Sequence, residues 1–461
     1  MRTNSTARML ALLISFFCLA GCQSNQDNYD KEAAADPQLY HWSLKKLTDV
    51  IVYDIFSPPV ASRIYAYPNI AAYEVMIHEN PGYRTLAGQL KEFNEVPKPD
   101  PDAVYCFPLA GIQAFLTVGK ALVFSEDKMD EFRDKIYQRY RDMGLSRSVF
   151  DRSIDYGKQV AKHVLDWADT DNYKQTRTFP KFTINDDPAR WQPTPPAYMD
   201  AIEPHWNKIR TFVLDSANQY VPSPPTPFSL DKESQFYEEL IEVYETGKNL
   251  TEEQSAIAEF WDCNPYISHQ QGHVMFATKK ITPGGHWIGI TSIATRMEKS
   301  DLMQTIEAYT LVSIALADAF ISCWDEKYRS ELIRPETVIN QHIDENWAPL
   351  LQTPPFPEYT SGHSVISASA ATALTHLFGE TFNFVDTTEV EYGLAPRTFD
   401  SFYQASNEAA ISRLYGGIHY MPACEIGVDQ GRLVGRFVID NLTTSNQNAK
   451  NEEKSDEESS S

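Results

Sequence analysis

The stretch Pro354-Pro355-Phe356-Pro357-Glu358-Tyr359-Thr360-Ser361-Gly362-His363 decides what this chain can be. Before it, Lys327 stands seven positions ahead of Arg334-Pro335. After it, Ser412-Arg413 precedes His419 with five residues between the arginine and the histidine. Nine letters in three fixed blocks, each at roughly 5% usage, arise by chance in fewer than about one chain of this length in 10,000. The three blocks therefore form one functional pattern.

The residue types in these blocks are those that a tetrahedral oxyanion needs. Arginine supplies forked donors that are always protonated, and lysine supplies a compact positive charge. We expect the oxyanion-binding residues to be Lys327, Arg334, Ser361, Gly362, Arg413 and His419. Ser361 and Gly362 precede a helical pattern over residues 365–378, whose N-terminal N–H groups attract anions, and the glycine permits close approach.

The two histidines of the pattern are the predicted catalytic residues. His419 supplies an imidazole nitrogen that can bond to the central atom of the oxyanion. His363 fits a general acid, because an unperturbed imidazole titrates near neutrality. Phe356 and His286 are predicted to line the substrate pocket, His286 from a loop that follows Pro283-Gly284-Gly285.

The pattern from Lys327 to Glu425 resembles the superfamily that joins type 2 phosphatidic acid phosphatases, bacterial acid phosphatases and vanadium-dependent haloperoxidases. The loop around Phe356 is especially similar to that of vanadium chloroperoxidase-type enzymes. The resemblance implies an all-α, large helical-bundle domain with its site in the C-terminal half. It also implies an apical position for His419, whose imidazole nitrogen either coordinates vanadium as the metal ligand or attacks phosphorus. In the first case vanadate is the cofactor, with hydrogen peroxide and halide as substrates.

Two other functions remain open at this point. One is a phosphomonoesterase that needs no cofactor and cleaves phosphate esters through a phosphohistidine at His419. The other is a surface lipoprotein that binds oxyanions without catalysis. The second is motivated by Ala423, because family members often carry an aspartate four residues after the apical histidine, where it orients the ring. Glu425 is a nearby substitute, although it belongs on a different helix face.

Hydrophobic periodicity predicts helices and no long strands. The predicted helices cover residues 42–54, 61–79, 109–125, 128–143, 153–169, 235–246, 252–263 and 302–327. A Pro- and aromatic-rich stretch, 178–227, is predicted to be irregular, and 311–321 is predicted to be a core segment rather than a membrane span. His269 and His273 have a spacing that could hold a metal, but they lack the glutamate of a zinc protease motif.

Near the start of the chain, Arg2 and Arg8 precede an apolar run over residues 9–20. This run leads into the sequence Leu19-Ala20-Gly21-Cys22. This is typical of a bacterial lipoprotein export signal, which places lipid on Cys22 and the protein in the cell envelope, with the membrane contacted through that anchor alone. The predicted division is a signal peptide 1–21, a flexible spacer 22–40, a helical domain 41–443 with its motif half from about 300, and a disordered acidic tail 444–461.

Cys106, Cys263, Cys323 and Cys424 remain to form disulfides or buried thiols. A formal charge of −23 argues against a nucleic-acid partner.

Overall fold

The computed structural model describes residues 29–271 and 274–445, and helices dominate it. The helices are α1 Lys31–Ala34, α2 Pro37–Asp54, α3 Pro58–Met76, α4 Phe107–Ala121, α5 Glu126–Asp142, α6 Arg147–Ala168, α7 Tyr173–Thr176, α8 Gln235–Lys248, α9 Glu252–Phe260, α10 Pro283–Met297, α11 Leu302–Ser330, α12 Pro335–His342, α13 Gly362–Phe378, α14 Phe402–Tyr415 and α15 Met421–Asn441. Short 3₁₀ turns lie at Trp206–Lys208 and Val390–Tyr392. The all-α prediction is confirmed.

Two small antiparallel hairpins accompany the helices. Strand β1, Ile267–Gln271, pairs with β2, Val274–Thr278, and strand β3, Phe384–Asp386, pairs with β4, Arg397–Phe399. The stretch 178–227 is irregular as predicted, apart from its 3₁₀ turn. Its Pro-rich composition denies the backbone the N–H groups that a helix requires.

Helix α11 is the central element and carries the first motif residue. Asp301 caps its N-terminus by a capping box with Gln304, and the helix ends at Glu331 in the left-handed region. Its most apolar window would be long enough to span a membrane, yet that window is completely buried inside the protein. It is therefore a core helix, as predicted. Lys327 lies in its last turn.

The C-terminal half is built around the contact of α13 with α15. Gly431 and Gly435, one turn apart on α15, allow this close approach, because a Cβ at Gly435 would lie 2.8 Å from the Ser369 carbonyl oxygen of α13. Helices α11 and α14 pack against the same pair. Through these contacts, the ends of α11 and α14 and the starts of α13 and α15 meet at one place.

Asp318 in the middle of α11 joins the irregular stretch to the core. Its carboxylate accepts the backbone N–H groups of Phe212, Val213 and Leu214 at 2.7, 2.8 and 3.0 Å. These donors lie in a segment that has no sheet or helix partner of its own, so a buried acceptor must satisfy them. The carboxylate in the apolar helix thus fixes the path of a connection that sequence periodicity left undefined.

The predicted boundaries need two corrections at the ends of the domain. The ordered fold begins before His41, because α2 starts at Pro37 with Asp36 as its cap, and Leu39 and Tyr40 are buried. At the other end Thr444, predicted to open the disordered tail, is buried, and its carbonyl oxygen accepts hydrogen bonds from Arg84 and Tyr73. The signal peptide, Cys22, His273 and residues 446–461 lie outside the described residues.

Candidate active site

The six predicted oxyanion-binding residues converge on one buried place where the ends of five helices meet. Lys327 ends α11, Arg334 caps α12, Ser361 caps α13 and Arg413 lies in the last turn of α14. Gly362 opens α13, and His419 stands two residues before α15. None of the three cations reaches solvent, since each is at most 3% exposed. The predicted convergence is therefore present.

Main-chain carbonyls hold two of the cations in place. Lys327 Nζ donates to the carbonyl oxygens of Pro357 and Glu358 at 2.9 and 3.0 Å. Arg334 Nε donates to the Phe356 carbonyl oxygen at 3.0 Å, and its Nη1 donates to that of Ile418 at 2.8 Å. Neutral carbonyls orient these groups without cancelling their charge.

Arg413 is fixed in the same manner from another side of the site. Its Nη1 donates to the Trp261 carbonyl oxygen at 3.0 Å. Within residues 29–271 and 274–445, Arg334 Nη2, Arg413 Nε and His363 Nε2 are buried atoms without a hydrogen-bond partner. The two guanidinium atoms are donors, and unsatisfied buried donors are costly, so this pair indicates a place for an anion.

His419 is oriented by a residue that the sequence analysis did not select. Its Nδ1 lies 2.7 Å from Oε1 of Glu358, which also accepts the backbone N–H of Tyr420 at 3.0 Å. Its Nε2 lies 3.0 Å from Arg334 Nη1. Because arginine only donates, Nε2 must be the unprotonated nitrogen and Nδ1 carries the proton.

The substitute considered for the missing aspartate, Glu425, is wrong, since its side chain is exposed and the ring is held by Glu358. Ala423 has a different part in the site: its carbonyl oxygen accepts the N–H of Ser361 at 3.0 Å. The one signal for Glu358 in the sequence was an acid inside an apolar, Pro-rich loop. Sequence spacing could not locate it, because 61 residues separate it from His419.

Burial and the concentration of positive charge shift the pKa values of these groups. Burial, with Arg334 adding to it, lowers the pKa of Lys327 to about 7. Burial and the neighbouring Arg413 hold the pKa of His363 well below its usual value, and burial and Arg334 do the same for His419. Both imidazole rings are neutral here. A bound anion would offset the positive charge of Arg334, which contributes to the lowered pKa of Lys327.

A cavity opens from this group toward the surface. Gly362, His363, Arg413 and His419 lie at its inner end, and aromatic and proline side chains form much of its wall. Phe356 lines it as predicted and lies close to two cations, with Lys327 Nζ 5.0 Å and Arg334 Cζ 5.1 Å from its ring centre. A Cβ built on Gly362 would be 3.6 Å from Trp324, which is ordinary contact distance.

His286 does not line this cavity, so that prediction is wrong. Pro283, Gly284 and Gly285 form the first turn of α10 rather than a loop, with Thr282 as the cap, and this turn buries the His286 ring. The ring contacts Asp386, Glu389 and Cys263 behind the cavity wall. The four cysteines of the described part of the chain are buried and free.

Comparison with known proteins agrees with this geometry. Residues 307–448 match the family described as the VCPO second helical-bundle domain. A crystal structure described as the first bacterial vanadium-dependent iodoperoxidase is 55% identical, covers 89% of this chain and 97% of its own, and has a TM-score of 0.85. No match was found among curated proteins.

More distant structures share the fold. The holo-type bacterial vanadium-dependent chloroperoxidase is 16% identical with a TM-score of 0.63, and covers 84% of this chain and 93% of its own. The apo-type structure is 17% identical with a TM-score of 0.61, and covers 84% of this chain and 94% of its own. At this identity the similarity concerns the fold alone.

Proposed function

Because this chain belongs to the vanadium-dependent haloperoxidase family, we propose that it binds vanadate at His419 and uses hydrogen peroxide to oxidise iodide. One observation carries the assignment of the site: an imidazole with an unprotonated Nε2 faces buried cations that keep unsatisfied N–H groups. Lys327, Arg334, Arg413, Ser361 and Gly362 would hold the oxygen atoms of vanadate. The donor set fits a compact, multiply charged oxyanion.

The residues of the chain have separate tasks in this reaction. When bound, vanadate supplies an electrophilic centre that activates hydrogen peroxide for two-electron oxidation of a halide. Glu358 keeps the proton on Nδ1 of His419, so that Nε2 presents its lone pair. Neutral His363, with its unpartnered Nε2 beside the cavity, accepts and returns a proton. Overall, iodide, hydrogen peroxide and one proton give hypoiodous acid and water.

Iodide is proposed as the preferred halide on two grounds. The structure that is 55% identical is described as an iodoperoxidase. In addition, the cavity wall includes Phe320, Trp324 and Phe356. The phenylalanines have no donor and the indole N–H of Trp324 already donates to the Ile202 carbonyl oxygen, so these side chains do not replace the hydration of a small anion. The cost of removing an anion from water falls as its radius grows. An apolar wall therefore favours iodide over chloride.

Family membership favours halide oxidation over the two alternatives that the sequence left open. Phosphate ester hydrolysis would use the same donors, since phosphate and vanadate have the same shape. The non-catalytic alternative rested on Ala423, which stands where family members often carry the aspartate that orients the ring. Glu358 orients the ring here, so that argument no longer applies. Both alternatives remain measurable outcomes of the experiment below.

The test is a halide series with reconstituted protein. Purified chain is assayed with hydrogen peroxide and iodide, bromide or chloride, with and without orthovanadate, beside His419→Ala. The control is His342→Ala, an exposed histidine at the end of α12. We expect vanadate-dependent iodide oxidation in wild type and in the control, and none in His419→Ala. Equal rates with bromide would overturn the iodide preference, and vanadate-inhibited hydrolysis of an aryl phosphate without halide oxidation would overturn the reaction.

We also propose that the protein is exported and anchored by lipid on Cys22, with its body in the cell envelope. The support is the sequence pattern of an apolar run that ends in Leu-Ala-Gly-Cys. Metabolic labelling with a fatty acid should mark the wild-type chain but not Cys22→Ser. Equal labelling of both would contradict the proposal.

A further inference from the structure

A second cluster of buried reactive side chains lies beside the cavity and takes no part in the proposed reaction. It contains Cys263, just after α9, His286 in the first turn of α10, and Glu389, in the loop between β3 and β4. All three are at most 1% exposed. One ligand atom from each lies within 4.8 Å of the others.

The separations between these atoms resemble the edges of a tetrahedron around a metal ion. Cys263 Sγ lies 3.4 Å from His286 Nδ1, His286 Nδ1 lies 3.1 Å from Glu389 Oε1, and Cys263 Sγ lies 3.8 Å from Glu389 Oε1. Zinc bonds of about 2.3 Å to sulfur and about 2.0 to 2.2 Å to nitrogen or oxygen give tetrahedral edges of about 3.3 to 3.6 Å. Each observed edge is within about 0.3 Å of this range.

The other nitrogen of His286 is held as in many metal sites. Its Nε2 lies 2.7 Å from Asp386 Oδ2, and Asp386 is itself fixed by the backbone N–H of Thr388 at 2.9 Å. A carboxylate that accepts from one ring nitrogen directs the lone pair of the other nitrogen to the metal. The indole of Trp261 stacks on the ring with 4.5 Å between centroids, so the imidazole cannot turn away.

A separate observation concerns the charge balance of this cluster. Oε2 of Glu389 is a buried atom with no hydrogen-bond partner within the described residues. Two buried carboxylates and a thiol surround a single imidazole, and buried carboxylates are stable only when paired or bound to metal. Without a cation, burial opposes a charged ring, yet Asp386 holds the pKa of His286 well above its usual value. A protonated His286 is thus the metal-free alternative.

We propose that Cys263, His286 and Glu389 bind a divalent transition metal ion of the zinc type, with Asp386 as the partner of the histidine. Sulfur and imidazole ligands in tetrahedral arrangement select zinc over magnesium or calcium. Binding releases two protons, one from the Cys263 thiol and one from Nδ1 of His286, and forms one metal–sulfur, one metal–nitrogen and one metal–oxygen bond, the last to the Glu389 carboxylate. Cys263 also contributes to the wall of the cavity.

The proposed metal would stabilise the wall that supports the oxyanion site. It would join the segment after α9, the start of α10 and the loop between β3 and β4. The Trp261 whose ring stacks on His286 also provides the carbonyl oxygen that holds Arg413. Rigid attachment of this tryptophan fixes the position of the arginine.

Metal binding is tested on the full chain before any vanadate is added. Protein stripped with a chelator is titrated with Zn²⁺ and, separately, with Co²⁺, whose spectrum reports tetrahedral thiolate coordination. We expect one ion per chain, a thiolate-to-cobalt charge-transfer band and a zinc-dependent rise in Tm. Glu389→Gln should bind the ion about 10- to 100-fold more weakly, and Cys263→Ser should lose the charge-transfer band. Cys106→Ser, which removes another buried free thiol, is the matched control and should behave as wild type.

The outcomes separate this site from the oxyanion site. If wild type binds no more zinc or cobalt than Cys263→Ser, the cluster is a hydrogen-bonded imidazolium and the proposal is overturned. If Cys263→Ser does not fold, the number of metal ions bound per wild-type chain and the metal affinity of Glu389→Gln still test the proposal. Vanadate-dependent iodide oxidation is measured in parallel, so failure of either assignment is recognised independently.

Discussion

Oε1 of Glu358 lies 2.7 Å from Nδ1 of His419, and this contact determines which ring nitrogen faces the oxyanion site. Burial raises the pKa of Glu358 to about 7, against the effect of Arg334 and Lys327. Oε1 nevertheless remains an acceptor in both protonation states. It already receives the Tyr420 N–H, so a proton on this carboxyl group belongs on the unpartnered Oε2.

Glu358→Gln should therefore weaken vanadate binding by about 10- to 100-fold, the usual effect of losing the partner of a ligating histidine. The amide oxygen can keep both contacts of Oε1, but the variant loses the negative charge that makes the ring a better ligand, and it buries an unpartnered NH₂ group in the place of Oε2. Vanadium NMR titration measures the affinity. The matched control is Glu425→Gln, an exposed glutamate on α15. Equal affinities for the two variants would refute the orienting role.

Gly362→Ala should leave the fold intact and reduce vanadate affinity. A methyl group there meets Trp324 and Lys327 only at ordinary contact distance, so the protein tolerates it, but it projects beside the cavity. Thermal unfolding and vanadate titration are compared with Gly82→Ala, where an added Cβ meets nothing within 4 Å. A stable variant with unchanged vanadate affinity would show that the glycine is not part of the cradle.

Asp318→Ala should lower the free energy of unfolding by about 3 kcal/mol or more, since each buried N–H left unpaired costs about 1 to 3 kcal/mol. Three backbone donors lose their acceptor at once. Asp318→Asn keeps one oxygen acceptor, so its free energy of unfolding should lie between those of wild type and Asp318→Ala. Urea unfolding measures the loss, with the exposed Asp440→Ala as control. A loss no greater than that of the control would exclude the role of Asp318 in fixing the 212–214 segment.

His41 should make the protein sensitive to acid. Burial, with Arg296 adding to it, lowers the pKa of His41 to about 3, and its Nδ1 lies 2.7 Å from the Tyr309 hydroxyl. Between pH 6.5 and about 3 the unfolded chain binds a proton that the folded chain does not. Stability is therefore lost as pH falls, by at most about 1.4 kcal/mol per pH unit from this group. His41→Gln should flatten the slope in that range, measured by urea unfolding at several pH values, and an unchanged slope would contradict the assignment.

Much of the site could be predicted because its residues occur in short sequence blocks, in which residue type and spacing together indicate the chemistry. The roles of Lys327, Arg334, Arg413 and the two histidines follow from residue type and order, and helix α13 follows from the serine and glycine at its start. Glu358 and the cluster around His286 could not be predicted, because their partners are distant in sequence and meet only after packing. His286 was misplaced for a related reason: Pro-Gly-Gly has the composition of a loop, but Thr282 caps it and the core buries it as a helix turn.

Peptide carbonyls, and not acidic side chains, hold Lys327 and Arg334. An arriving anion therefore has no resident counterion to displace, and the pocket pays little reorganisation on loading.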